Sequence, residues 1–155
     1  AFVRAVLAIF AGPLVLAGGL CDGVSLRAAL ALGCDLGYMG TQFIATRESL
    51  AQDAYKQMLV QSSLDDVLLT RAFTGLPANF LRPSVLASGL EPAELDETVT
   101  IAQARARFGG GANTIDRPKR WETLWSAGHS VSAVRDVPTV AQLVRRLAAE
   151  YAARG

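Results

Sequence analysis

The sequence predicts an α/β fold built on a parallel sheet. Two short apolar runs, each closed by a glycine-bearing turn, and a compact helical stretch between them carry that expectation. The first run, Leu14-Val15-Leu16-Ala17, stands between Pro13 and Gly18-Gly19; the second, Asp35 to Met39, ends at Gly40-Thr41. A strand, a helix and a second strand within residues 13 to 41 leave the two strands parallel, because the helix returns the chain to its starting edge.

Taken in order, residues 3 to 10 predict a helix tail that Gly12 and Pro13 stop. From Gly23 the segment VSLRAALALG has helix formers, with Leu26, Ala29 and Leu30 apolar, Asp22 as N-cap and Gly33 as the stop. A further amphipathic helix is expected around Asp53 to Ser62, with Ala54, Met58 and Leu59 on its inner side and Lys56 and Gln57 facing away. A strand follows in VLLT at 67 to 70. Pro77, Pro83, Pro92, Gly75 and Gly89 then punctuate the chain around a helix expected from Asn79 to Ser88. Residues 91 to 118 read as a helix followed by a mobile loop, the glycine run at 109 to 111 being flanked by Arg105, Arg107 and Arg117. A second helical region spans Lys119 to Ala127. The last helix, Val140 to Tyr151, is strongly amphipathic, with Val140, Leu143, Val144 and Leu147 inward and Arg145, Arg146 and Glu150 outward. No internal repeat is visible.

At 155 residues and 51% hydrophobic content the chain can bury a core. Its 15 basic and 14 acidic residues are spread along its length, so no basic stripe points to nucleic acid. Cys21 and Cys34 lack CxxC spacing and there is one histidine, which argues against a metal site and fits a reducing, cytoplasmic setting. The apolar first twenty residues resemble a signal peptide or membrane span only superficially. Gly12, Pro13, Gly18 and Gly19 break them into a helical piece and a strand-like piece, and Leu20 is not the small residue a lipoprotein Cys21 would need before it. The chain opens without methionine on what reads as a helix already under way, so further chain is expected upstream.

The chemistry concentrates in the two glycine turns. Both follow strands of one parallel sheet, so both lie at its carboxyl edge. Glycine there lets backbone N–H groups approach phosphate oxygens, and a following helix N-terminus adds a favourable dipole. Tight strand-to-helix turns without a ligand are the plainer reading, which the pairing of two such loops weakens.

LVLAGGLCDGVSLRAALALGCDLGYMGTQFIAT resembles the last two strand-and-loop units of an FMN-binding barrel family that includes nitronate monooxygenases and flavin-dependent enoyl-ACP reductases. DAYKQMLV, LTRAFTGLPANFLR and RWETLWSAGHSVSAV are similar to segments that follow the barrel strands in nitronate monooxygenases. The resemblance implies the C-terminal portion of a (β/α)8 TIM barrel with an appended, mostly helical substrate subdomain. Residues 1–62 would supply the last barrel units, 63–118 the helical subdomain with its glycine-rich loop, and 119–155 the helices returning to the barrel. It implies FMN as cofactor, with the phosphate held by backbone amides at Gly18, Gly19, Gly40 and Thr41. It also implies oxidation of an alkyl nitronate or nitroalkane by dioxygen to a carbonyl compound and nitrite. Neither nucleic acid nor membrane is implied as partner.

Two departures accompany the match. Gln42 stands where many members show arginine, and residues 91 to 118 show no motif that carries the resemblance. The family's catalytic histidine lies on an earlier strand, outside these residues, so the implied enzyme needs an N-terminal barrel half and the isolated piece is expected to be inactive. Gly128, His129 and Ser130, in a segment that returns toward the flavin in the family, are candidate flavin or substrate contacts; as a lone histidine, His129 also reads as a turn residue capping the helix of Trp125. Arg71 is a solvated arginine or an anchor for an anionic substrate. Cys21 reads as a small buried hydrophobe. Trp121 and Trp125, four apart, read as packing or as a lid over the flavin. An enoyl reductase on the same fold, and a non-catalytic domain that binds a phosphate ligand or completes another chain's barrel, are the competing functions.

Overall fold

A computed structural model describes residues 1–109, 118–120 and 122–153. In chain order its elements are α1 (Phe2–Leu7), β1 (Val15–Ala17), α2 (Gly23–Ala31), β2 (Leu36–Tyr38), α3 (Thr41–Ile44), α4 (Asp53–Gln61), β3 (Val67–Thr70), β4 (Ala78–Leu81), α5 (Arg82–Ala87), α6 (Ile101–Phe108) and α7 (Val140–Ala152), with 3₁₀ turns at Leu64–Asp66, Pro92–Glu94 and His129–Ala133. They form two compact units, one of residues 1–61 and 129–155, the other of residues 62–128. Among the described residues no helix is long and apolar enough to cross a membrane.

In the first unit β1 and β2 pair in parallel, Val15 opposite Leu36, Leu16 opposite Gly37 and Ala17 opposite Tyr38. The α2 connection that makes this possible begins at a reciprocal cap. The Asp22 carboxylate accepts from the Ser25 N–H at 2.7 Å, while the Ser25 hydroxyl oxygen accepts from the Asp22 N–H at 3.1 Å. One face of the sheet is covered, since Leu16 joins Val3, Leu20, Ala29 and Cys34 in an apolar cluster. Val15, Leu36 and Tyr38, on the opposite face, are 50%, 61% and 66% exposed. Parallel sheets are ordinarily covered on both faces, so this apolar face is unusual in open water.

Two helices of this unit correct the sequence expectation. In α4 the buried residues are Tyr55, Lys56 and Leu59, while Ala54 is exposed. Lys56 turns inward because its aliphatic stem packs while its Nζ donates to the Ser49 carbonyl at 2.9 Å, which hydropathy alone does not anticipate. In α7 Leu143 is buried but Val144 is exposed. Arg146 and Glu150, expected to point away, are engaged with the protein. Arg146 clasps Asp136 through two bonds of 2.9 and 2.7 Å, and Glu150 accepts from the Gly23 N–H at 2.9 Å. The packing of α7 on α2 creates the Glu150 contact, and the segment before α7 supplies Asp136. The Glu48 carboxylate accepts from the Val140 N–H at the start of α7, joining a Thr139–Gln142 capping box.

The second unit is organised by a hairpin. β3 and β4 are antiparallel, with Val67 opposite Leu81 and Thr70 opposite Ala78. The helix expected over Asn79 to Ser88 therefore shrinks to α5, its first three positions belonging to β4. Pro83 in the first turn of α5 marks the boundary, since its missing N–H is harmless there. The helix expected over Lys119 to Ala127 is also absent from the described part of that segment. The backbone of Trp125 bonds outward instead, its carbonyl accepting from the Leu81 N–H at 2.8 Å and its N–H donating to Ser84 Oγ at 3.1 Å. Around them Phe73, Phe80, Val85, Phe108 and Leu124 form the core. Phe73 meets Phe80 and Phe108 edge-on, with ring centroids 4.8 and 5.0 Å apart. The Glu97 carboxylate accepts from the Arg71 N–H at 2.8 Å and from the Thr70 hydroxyl, tying the segment before α6 to the end of β3. Gly110, Gly111, Arg117 and Trp121 lie outside the described residues, and with them most of the expected glycine-rich loop and the Trp121–Trp125 pairing.

Candidate functional site

The two glycine turns meet at one sheet edge, because each directly follows its strand and the strands are hydrogen-bonded neighbours. Gly18 and Gly19 adopt left-handed φ values of +84° and +74°, a region that suits glycine. Gly40 is the N-cap of α3 and no side chain caps it. A Cβ placed on Gly18, Gly19 or Gly40 would find no atom within 4 Å, so all three face open space. The N–H groups of Gly19, Leu20 and Gly40 are donated to no other described residue. Gly40 also borders an open groove of about 520 Å³ formed with Tyr38, Met39 and Phe43. Unspent amides around open space at one edge fit a phosphate group.

The two helix N-termini differ. That of α2 is already held by carboxylates of this chain, Asp22 on the Ser25 N–H and Glu150 on the Gly23 N–H. The dipole anticipated behind the first turn is thus taken up internally. What the first turn offers is its own amides. Asp22 is held ionised, its carboxyl lowered mainly by the Ser25 N–H bond. Cys21 beside it is pushed up by burial first and then by the negative charges of Asp22 and Glu150, so a thiolate is disfavoured there. Cys21 is half-buried, whereas the cysteine inside the apolar cluster is Cys34.

Thr41 and Gln42 are both buried at the start of α3. His129 and Ser130 open the 3₁₀ turn His129–Ala133, which packs against α3 and α4. The His129 side chain is exposed, and residues 125 to 128 are not helical, so the alternative of a helix cap does not apply. Gly128 ends the other unit. Arg71, also in that unit, is exposed, and its Nη2 reaches the Gly75 carbonyl at 3.4 Å. Among the described residues no group of histidine, cysteine, aspartate and glutamate side chains is arranged to hold a metal ion.

Sequence reasoning missed a second concavity, a cleft of about 470 Å³ whose lining includes Asp22, Gln42, Arg135, Asp136, Arg146 and Glu150. These residues come from α2, α3 and α7 and from the segment before α7. No motif signals the cleft, because it depends on how α7 packs onto α2.

The nitronate monooxygenase family model matches residues 1–150. A nitronate monooxygenase of Pseudomonas aeruginosa is 32% identical, the match covering 97% of this chain and 42% of that protein. FabK from Thermotoga maritima is similar in structure with a TM-score of 0.73 at 28% identity, covering 96% of this chain and 47% of that one. A nitroalkane oxidase from Streptomyces ansochromogenes gives 0.64 at 31% identity, covering 97% and 42%. The chain spans less than half the length of these relatives. With its strand, helix and turn order and its matching span, the chain belongs to the nitronate monooxygenase family.

Proposed function

We propose that these residues carry the phosphate-gripping end of an FMN site in an enzyme that oxidises alkyl nitronates with dioxygen to a carbonyl compound and nitrite. One observation carries this reading: at a single sheet edge the N–H groups of Gly19, Leu20 and Gly40 are donated to no other described residue, and a Cβ on Gly18, Gly19 or Gly40 would meet open space. Gly18, Gly19, Gly40 and Thr41 would hold the phosphate through backbone groups. FMN, when bound, supplies the redox chemistry. The protein's part here is to anchor the phosphate so that the ring is held in one orientation. Gly128, His129 and Ser130 belong to the segment proposed to approach the flavin or substrate, supported for His129 and Ser130 by the packing of their turn on α3.

The exposed face of Val15, Leu36 and Tyr38 supports a place within a closed (β/α)8 barrel, whose interior side chains would cover it. On this reading residues 62–128 form the appended substrate subdomain, the family's catalytic histidine comes from the remaining strands, and the protein works in the cytoplasm. The resemblance to FabK favours a second reading, a flavin-dependent enoyl reductase on the same phosphate grip. Turnover by this chain joined to its remaining barrel strands separates the two. Oxygen uptake with an alkyl nitronate in the absence of NADH is the expected result, and NADH oxidation driven by an enoyl thioester, without nitronate turnover, would overturn it.

A further inference from the structure

The cleft between α2, α3 and α7 does not include the glycine turns, and it is lined by groups the phosphate grip leaves unused. Gln42 is the telling residue. It is 6% exposed, it lines the cleft, and its side-chain amide has no hydrogen-bond partner among the described residues. Neither amide atom is fully sealed from solvent, and Gln42 is among the residues that line the cleft. Its donor and acceptor capacity is therefore open to a ligand in the cleft.

The charge around it selects the kind of ligand. Asp22, Asp136 and Glu150 bring three carboxylates to the lining, against the two guanidinium groups of Arg135 and Arg146. Arg146 spends Nη1 and Nη2 on Asp136. Arg135 is exposed and pairs with no described residue. Asp22 accepts from the Ser25 N–H and is also hydrogen-bonded by Val24, Ser25 and Cys21, while Glu150 accepts from the Gly23 N–H and lies near Arg146; with about four lone-pair sites on a carboxylate, Glu150 keeps the larger free share. The unspent capacity of the interior is therefore mostly acceptor capacity with a negative sign. Cys21, also on the lining, is raised by burial first and then by the negative charge of Asp22.

We propose that this cleft binds a small organic cation with a guanidinium head group. Its planar fork of N–H donors can serve two carboxylates and an amide oxygen at once, which a compact ammonium does less well. Asp22, Glu150 and Gln42 Oε1 are the acceptors, and the apolar side chains of Leu143 and Leu147 floor the site. The inference stands on the cleft alone and does not depend on FMN or on nitronate turnover.

The test is a titration of the protein with methylguanidinium at non-denaturing concentration, followed by the Gln42 side-chain amide resonances. Tetramethylammonium, a cation without donors, is the comparison. Saturable shifts at Gln42 with methylguanidinium alone are expected. Gln42→Leu should weaken the affinity, read from neighbouring resonances, about tenfold. Arg135→Gln, at an exposed side chain, should tighten it by roughly two- to threefold by removing a like charge at the rim. A response that does not saturate, an equal response to tetramethylammonium, or an affinity unmoved by both substitutions would overturn the proposal.

Discussion

The two strand pairs of this chain solve the burial problem in opposite ways. The β3–β4 hairpin closes on a core of its own: Phe80 and Leu81 are buried, and Phe73 and Phe108 pack around them. The β1–β2 pair covers one face with α1 and α2 and leaves Val15, Leu36 and Tyr38 exposed on the other. The hairpin packs one face within its unit and leaves Leu69 exposed on the other, whereas the parallel pair leaves three large apolar side chains of one face exposed. The difference teaches where packing is concentrated and where it is not. The hairpin unit gathers a core of aromatic rings, and the unit of the parallel pair carries the glycine turns.

The largest effect is expected in the hairpin unit. Phe73 is fully buried and touches two rings, so Phe73→Ala should cost about 3–5 kcal/mol, measured by denaturant unfolding. A cost below about 1 kcal/mol would break the contrast, since the core would then be no better packed than the open sheet. A middling effect is expected at the α2 cap, where Asp22→Ala should cost about 1 kcal/mol. The carboxyl of Asp22 is lowered in the folded chain, so its contribution is present above the unfolded carboxylate pKa and is lost as pH falls through the folded value. A pH titration of stability in the acid range should therefore be flatter for Asp22→Asn than for the parent. The smallest effect belongs to the exposed face: Leu36→Ser should change the stability of this chain by no more than about 0.5 kcal/mol. In the protein that carries the remaining barrel strands the same substitution should be clearly destabilising, which sharpens the comparison by showing that the face is buried there.

The strand and turn order of residues 13 to 41 was legible because glycine and proline punctuate it and Asp22 announces its helix. The Gly18-Gly19 turn was legible for the same reason, as its left-handed backbone suits glycine. Lys56 was not, because a lysine that buries its stem and meets the Ser49 carbonyl looks like any surface lysine in a helical pattern. The end of β4 was misread since Asn79, Phe80 and Leu81 run into a helix without a break in hydropathy, although Pro83 marks the start of α5. The claims of Trp125 on Ser84 and Leu81, and of Glu150 on Gly23, join residues 41, 44 and 127 positions apart; such pairings come from tertiary packing and leave no local pattern. The Gln42 cleft was hidden for that reason too.

The central claim is that the paired glycine turns grip a phosphate, and Gly40 offers its cleanest test. Its φ of −96° suits any residue and no atom lies within 4 Å of an added Cβ, so a substitution there strains nothing in the fold. The measurement is FMN binding by flavin fluorescence quenching, in this chain joined to its remaining barrel strands, comparing the parent with Gly40→Asp and Gly40→Ala. Loss of binding with aspartate, at unchanged stability and with alanine much less affected, is the predicted result. A folded protein that ignores FMN, or that binds it equally with aspartate at position 40, would contradict the account.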